Sequence, residues 1–265
     1  MNKTWKIVII VIISFITYSV LGRFSGTIFS TIERFLSFHI ISYFLTYILI
    51  GIPIFLGTML IHKDFDIFRH LGFKANPFIP LAAAILFTLP MFLGGFLYFS
   101  FNDQTTFSGL LKLTIFAGLF EELYFRGFLF GQLFRYTKLG FIPSVLFGAV
   151  LFASGHLYQS TDLPTLSGIF ITTFLGAILF AWVYAEWNYN LWIPVFLHFL
   201  MNLSWTLFVG SDNALGGIIS NVFRALTICF VIIATVVYKK RKGLTFEVNK
   251  KTLLWKSAPP DRVAS

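Results

Sequence analysis

Residues 163–187 read LPTLSGIFITTFLGAILFAWVYAEW, and 23 positions pass before the first charged side chain, Glu186. A membrane-barrel strand alternates apolar and polar side chains with period two over about ten residues. This run is continuously apolar and too long for that. It has the length of a helix crossing the hydrocarbon of a bilayer, which takes about 20 residues. Comparable runs fall near 5–22, 39–61, 79–101, 109–136, 141–156, 191–209 and 217–238. Together they predict an all-α fold, a polytopic transmembrane helical bundle of about eight spans. The fifth run is short, and the fourth is long and polar in its middle.

Composition agrees. Of 265 residues, 57% are apolar and 12% are charged, against about 25% charged in a soluble domain. So little charge could not cover a water-facing surface. The 35 Phe fit a lipid setting, since Phe is favoured at the centre of membrane helices. The net charge of +9 gathers at the chain ends and in a few loops, which suits contact with anionic membrane lipids. Nucleic-acid binding would need a basic face with exposed aromatics, and no such face can be read. The single cysteine, Cys229, rules out a disulfide within the chain.

Charge also sets an expected orientation. Lys3, Lys6, the 63–74 loop, Arg135, Lys138 and the 239–242 cluster fall on one side of alternating spans. Asp103, Asp162 and Asp212 fall on the other, with Arg23 and Arg34 as exceptions. The positive-inside rule then predicts a multi-pass cell-membrane protein with both termini cytoplasmic. No small-x-small motif follows the apolar stretch 7–21, which reads as an uncleaved first span. Segment 22–38 reads as a short amphipathic piece on the outer surface. The expected organisation is a two-span region with that surface segment (1–77), a membrane-embedded core (78–238), and a basic, mobile cytoplasmic tail (239–265) ending in Pro-Pro-Asp-Arg and a few further residues.

Ionisable groups inside a membrane helix cost roughly 2.5–3.5 kcal/mol each on insertion scales and mark function by default. The fourth run concentrates them: Glu121, Glu122 and Arg126 lie in Gly-Leu-Phe-Glu-Glu-Leu-Tyr-Phe-Arg-Gly. On an α-helix, side chains four apart share a face, so Glu122 and Arg126 are expected to form a structural ion pair. At about 100° per residue, Glu121 diverges from Arg126 by about 140° and is left without a local cation. It must turn to other helices, a cavity or water. His156 closes the fifth run in Phe-Ala-Ser-Gly-His. His198 and Asn202, four apart, share a face of the seventh. His39, His62 and His70 sit at span ends or in the basic loop and read as structural.

The spacing Glu121-Glu122-x-x-x-Arg126, then Phe152-x-x-x-His156, then His198-x-x-x-Asn202 resembles the three motifs of the CPBP family. These are the CAAX prenyl endopeptidases and bacteriocin-processing proteins, also called the abortive-infection group. Order and helix placement match, and the family domain would cover about 78–209. The resemblance implies hydrolysis of a peptide bond in a membrane-associated protein or peptide. It makes Glu121, His156, His198 and Asn202 the catalytic candidates. Glu121 would act as general base on water. His156 would orient that water or protonate the leaving amine, and His198 and Asn202 would donate to the oxyanion. No metal or other cofactor is expected, because the His-Glu-x-x-His pairing of one zinc-binding helix is absent. The alternative is zinc held by Glu121, His156 and His198.

Two other functions compete. A proton-coupled transporter would also use intramembrane Glu, Arg and His, yet no repeat with interrupted helices is visible. A non-catalytic immunity or chaperone-like membrane protein would keep the same residues as structure. One discord stands in the expected topology: His156 ends its span, whereas Glu121 and His198 lie near the middle of theirs. A tilted helix or an inward-reaching cavity would reconcile them. Arg224, in the last run, is expected either to snorkel to the interface or to neutralise an acid within the bundle.

Overall fold

The computed structural model describes residues 2–210 and 212–257, so the end of the tail, with its Pro-Pro-Asp-Arg, lies outside the described residues. The chain runs α1 (Lys3–Gly22), α2 (Ser25–Leu36), α3 (His39–His62), α4 (Ile67–Leu71), α5 (Phe78–Tyr98) and α6 (Phe107–Leu111). A π-helix (Lys112–Phe130) follows and continues directly into α7 (Gly131–Tyr136). Then come α8 (Phe141–Ser154), a 3₁₀ turn (Leu157–Gln159), α9 (Leu163–Glu186), α10 (Trp192–Leu207) and α11 (Ile218–Arg241). Extended pairing among the described residues amounts to two isolated bridges, Phe101 with Phe208 and Leu139 with Trp255.

Among the described residues six helices are long and apolar enough to cross a membrane: α1, α3, α5, α8 with its 3₁₀ extension, α9 and α11. The chain is a multi-pass membrane protein. Of the eight expected spans, the two outside that set are the π-helix with α7, and α10. The 16 residues of α10 rise only about 24 Å. These are also the helices that carry Glu121, Glu122, Arg126, His198 and Asn202.

Hydrogen bonds identify the two ends of the bundle. At one end Lys138 N–H donates to Thr4 Oγ1 and Lys256 N–H to the Lys138 carbonyl. Gln132 and Arg135 both donate to the His70 carbonyl there, and His62 stacks flat on His70 with centroids 3.6 Å apart. This end collects the basic loops, and His62 and His70 take structural places in it. At the other end Asn102 N–H donates to Leu207 O and Val209 N–H to Ser100 O. The short helix α2 also lies at this end, with no residue buried. Phe29 stacks on Tyr43 of α3 at 4.2 Å, and His39 meets Glu33 at 3.0 Å. The nearby Ser42 hydroxyl and the His39 contact hold the Glu33 carboxyl below its usual range.

Part of the tail, up to Ser257, falls among the described residues. Residues up to Ser257 return to the basic end, where Glu186 accepts the Glu247 and Val248 N–H groups at 3.1 and 2.9 Å. Lys239 Nζ reaches the same carboxylate at 2.5 Å. The reason is a buried acid, 5% exposed, that draws both a lysine and two backbone donors onto itself. A basic composition alone could not reveal it.

Candidate active site

The π-helix and α10 approach closely at Gly118. A Cβ on that residue would lie 3.0 Å from Phe199 N and 3.2 Å from Val195 O. Only a glycine lets the two backbones come this near. One turn further along, the paired carboxylates face the histidine of α10.

Glu122 is fully buried and sits at the centre. Its Oε1 accepts from Arg126 Nη1 at 2.9 Å and lies 2.7 Å from His198 Nδ1. A carboxylate already paired with a guanidinium is an acceptor, so Nδ1 carries the hydrogen and Nε2 is left to face elsewhere. It faces Glu121, whose Oε2 is 3.9 Å away. That oxygen is buried and, among the described residues, has no hydrogen-bond partner. The ring of Phe180 stacks on His198 at 5.6 Å. Arg126 is clasped by aromatics, its Cζ 4.6 Å from the Phe152 centroid and 5.4 Å from that of Phe180. Cation–π contacts of this kind compensate part of the cost of a buried guanidinium.

The segment does not wind as an α-helix. In a π-helix each N–H reaches the carbonyl five residues back, so residues five apart stack more closely than in an α-helix. The 140° argument for separating Glu121 from Arg126 therefore does not hold in this stretch. Glu121 is left over for a different reason: Arg126 is already engaged with Glu122 and enclosed by Phe152 and Phe180.

His156 lies just beyond α8. Its Nδ1 donates to the Phe152 carbonyl at 2.7 Å, which fixes the tautomer with Nε2 outward. The Phe152 ring touches both histidines, at 4.7 Å from His156 and 6.4 Å from His198. His156, His198 and Asn202 all line one cavity of about 720 Å³, which joins the two histidines. Glu121 is not part of that wall and meets the site through His198. Asn202 donates to Leu113 O at 2.9 Å, tying α10 to the start of the π-helix. One of its amide hydrogens is thereby taken.

The zinc alternative fares poorly on geometry. Among the described residues no three His, Cys, Asp or Glu side chains gather as a metal-binding group. Glu121, His156 and His198 therefore do not fit a three-ligand centre here.

Sequence reasoning missed Phe180, which contacts both His198 and Arg126. Nothing distinguishes one Phe among 35. It also missed that Glu122 serves two partners, because the second comes from another helix.

The cavity runs between α9 and α11. Near the basic end Trp187 Nε1 donates to Thr235 Oγ1 at 3.1 Å, and at the opposite end Leu215 packs on Gly168. Between these closures the lining is mainly apolar, with Leu175, Ile178, Ile228 and Ile232 among its residues.

Residues 103–204 match the model of a family described as Type II CAAX prenyl endopeptidase Rce1-like. The matched segment holds Glu121, Glu122, Arg126, His156, His198 and Asn202, and it leaves out α1 to α5 and α11. The matched segment is under half of the chain, and over it the chain is similar to that endopeptidase family. No curated protein and no solved structure matches the chain.

Proposed function

We propose, from a segment similar to the Rce1-like type II CAAX prenyl endopeptidases, that the chain cleaves a peptide bond of a membrane-associated protein or peptide, using water activated by Glu121. One observation carries the reading. A buried carboxylate oxygen with no hydrogen-bond partner among the described residues stands 3.9 Å from a histidine nitrogen whose ring is fixed from behind by a second, ion-paired carboxylate. Two polar atoms at that separation are well placed to share one water.

In this reading Glu121 takes a proton from the water, and the hydroxide adds to the scissile carbonyl. His198, its hydrogen on Nδ1, accepts from the same water through Nε2, 3.9 Å from Glu121, and orients it for attack. The second amide hydrogen of Asn202 borders the same cavity and donates to the tetrahedral oxyanion, while Nε2 of His156, opposite its donating Nδ1, adds an acceptor to that wall. The carbon–nitrogen bond then breaks, and the proton held by Glu121 passes to the leaving amine. Glu122 and Arg126 act as positioning residues through His198. The mostly apolar lining suits an apolar substrate segment presented from the membrane. The gathering of basic loops at one end favours a cytoplasmic location for both termini by the positive-inside rule.

The experiment is cleavage of membrane-associated peptides by the full chain in vesicles, comparing wild type with Glu121→Gln. The variant keeps the shape and removes the base, so the rate should fall at least about a hundredfold. An unchanged rate overturns the mechanism. No cleavage of any peptide by wild type, under conditions where it remains folded, turns the reading toward a non-catalytic member.

A further inference from the structure

Arg224 is the cavity residue that the proposed chemistry leaves over. It lies on α11, outside the segment matched by the family, and is the one permanently charged side chain among those lining the cavity. Its setting is elaborate. The guanidinium lies over the Trp205 ring, 4.8 Å from the centroid. Nη1 donates to Ala214 O and Nη2 to Leu215 O, each at 2.7 Å, and Nη2 also contacts Asn221 Oδ1. The loop that supplies these carbonyls is itself held, since Ala214 N–H donates to Gln159 Oε1 at 2.7 Å. Gly216, with φ +78°, brings the loop against the same indole, where a Cβ would lie 2.7 Å from Cη2 of Trp205.

These bonds use three of the five guanidinium N–H groups, and every acceptor is neutral. Among the described residues no acidic side chain forms an ion pair with Arg224. It neutralises no acid of the bundle, and its head is turned into the α10–α11 loop. A neutral amide could clamp two carbonyls without the cost of an uncompensated charge in a mainly apolar wall. The charge is surplus to the fold, and a rigid guanidinium with free donors is the group that best receives a carboxylate.

We infer that Arg224, supported by Trp205 and Asn221, binds a carboxylate carried by the substrate; this rests on the endopeptidase reading above. The spacing along α10 gives the register. His198, Asn202 and Trp205 lie on one face of that helix, and the seven residues from His198 to Trp205 rise about 10 Å. A peptide held by its negative charge at Arg224 therefore presents a bond about 10 Å away to the histidines. The carboxylate is either the chain terminus or an acidic side chain, and the same fork takes both.

The test uses full-length protein in vesicles of neutral lipid and one apolar peptide made in four forms. These are free acid, C-terminal amide, amide with an acidic side chain near the terminus, and a free acid lengthened by one residue. With wild type, the KM of the plain amide should exceed that of the free acid by about tenfold to a hundredfold, the worth of a charge-assisted contact. Restoration by the acidic side chain identifies that source, and failure to restore identifies the terminus. The lengthened acid should move the cut by one residue. In Arg224→Gln the difference between acid and amide should vanish, while Arg224→Lys keeps part of it. If Arg224 only clamps the loop, the variant slows acid and amide alike, which overturns the inference. So do equal KM values for acid and amide in wild type, and so does displacement of the acid peptide by anionic phospholipid, which would mark a headgroup site. Anisotropy of labelled peptides on Glu121→Gln protein separates the two readings. Charge-dependent binding lost in Glu121→Gln/Arg224→Gln, beside no cleavage by wild type, sinks the protease and keeps the anchor. Charge-independent cleavage does the reverse.

Discussion

Glu121 and Glu122 are neighbours in sequence and both face His198, but they differ in burial and in pairing. Glu122 is enclosed, paired with Arg126 at 2.9 Å and in contact with His198 at 2.7 Å. Glu121 is 29% exposed at its side chain, and its Oε2 has no hydrogen-bond partner among the described residues. Their amide variants should therefore separate stability from chemistry. Glu122→Gln leaves Arg126, 2% exposed, without its counter-charge, and breaking a buried pair in this way costs about 3–5 kcal/mol. Glu121→Gln should cost under about 1 kcal/mol while removing cleavage. Thermal unfolding of both variants in the same detergent checks this, and equal losses would refute the division of roles. The scattered donors carry a second expectation: cleavage should persist within about twofold after chelation and dialysis, because no three-ligand set is assembled. Activity lost on chelation and restored by zinc would contradict it. The Glu122–Arg126 contact was readable from a four-residue spacing. The contact of Glu122 with His198 was not, because it depends on how two helices 76 residues apart in sequence are laid together.

At the scale of elements, the site depends on how near α10 comes to the π-helix. A close approach is at Gly118, and adding one methyl there requires backbone to move, since its neighbours are Phe199 N and Val195 O. Gly118→Ala should destabilise the bundle by about 1–3 kcal/mol, as overpacking does. By shifting His198 from Glu121 and Glu122 it should also lower cleavage by about tenfold or more, since a displacement of about 1 Å can cost a hundredfold. Gly26→Ala serves as the control, because nothing lies within 4 Å of that position. Full activity in Gly118→Ala would mean that the contact does not position the site. The apolar runs announced where helices lie because span length is set by the bilayer. The wide winding of Lys112–Phe130 could not be read, since apolar periodicity gives no sign of whether N–H groups reach four or five residues back. The clamp of Arg224 was equally hidden, because its acceptors are backbone carbonyls of a loop.

The molecule as a whole is closed at its basic end by its own tail. The N–H groups of Gly140, Phe141 and Ile142, at the start of α8, donate to Leu254 O, Thr252 O and Leu253 O at 2.8–2.9 Å. First-turn donors have no partner within their own helix, so the tail caps the helix that carries Phe152 and leads to His156. Lys256 closes the arrangement, 3% exposed, with its Nζ on the Phe134 carbonyl and 4.2 Å from the centroid of the Phe134 ring. Burial pulls its pKa down from 10.5 to about 7, with Glu247 opposing the shift. The sign follows from proton counting. Below about pH 7 the amine is charged whether the tail is docked or released, so pH has no leverage through it and the burial cost is at its largest. Between about 7 and 10.5 the docked tail gives up a proton that the released tail keeps, so docking strengthens as pH rises. Chymotrypsin cleavage at Phe246 and Trp255, taken as the ratio of wild type to Lys256→Met at each pH, cancels the pH dependence of the protease itself. That ratio should fall between pH 7 and 9, by at most about tenfold per unit. A flat ratio would show that Lys256 does not titrate with docking, leaving the Glu186 contacts and the caps on α8 to hold the tail by themselves.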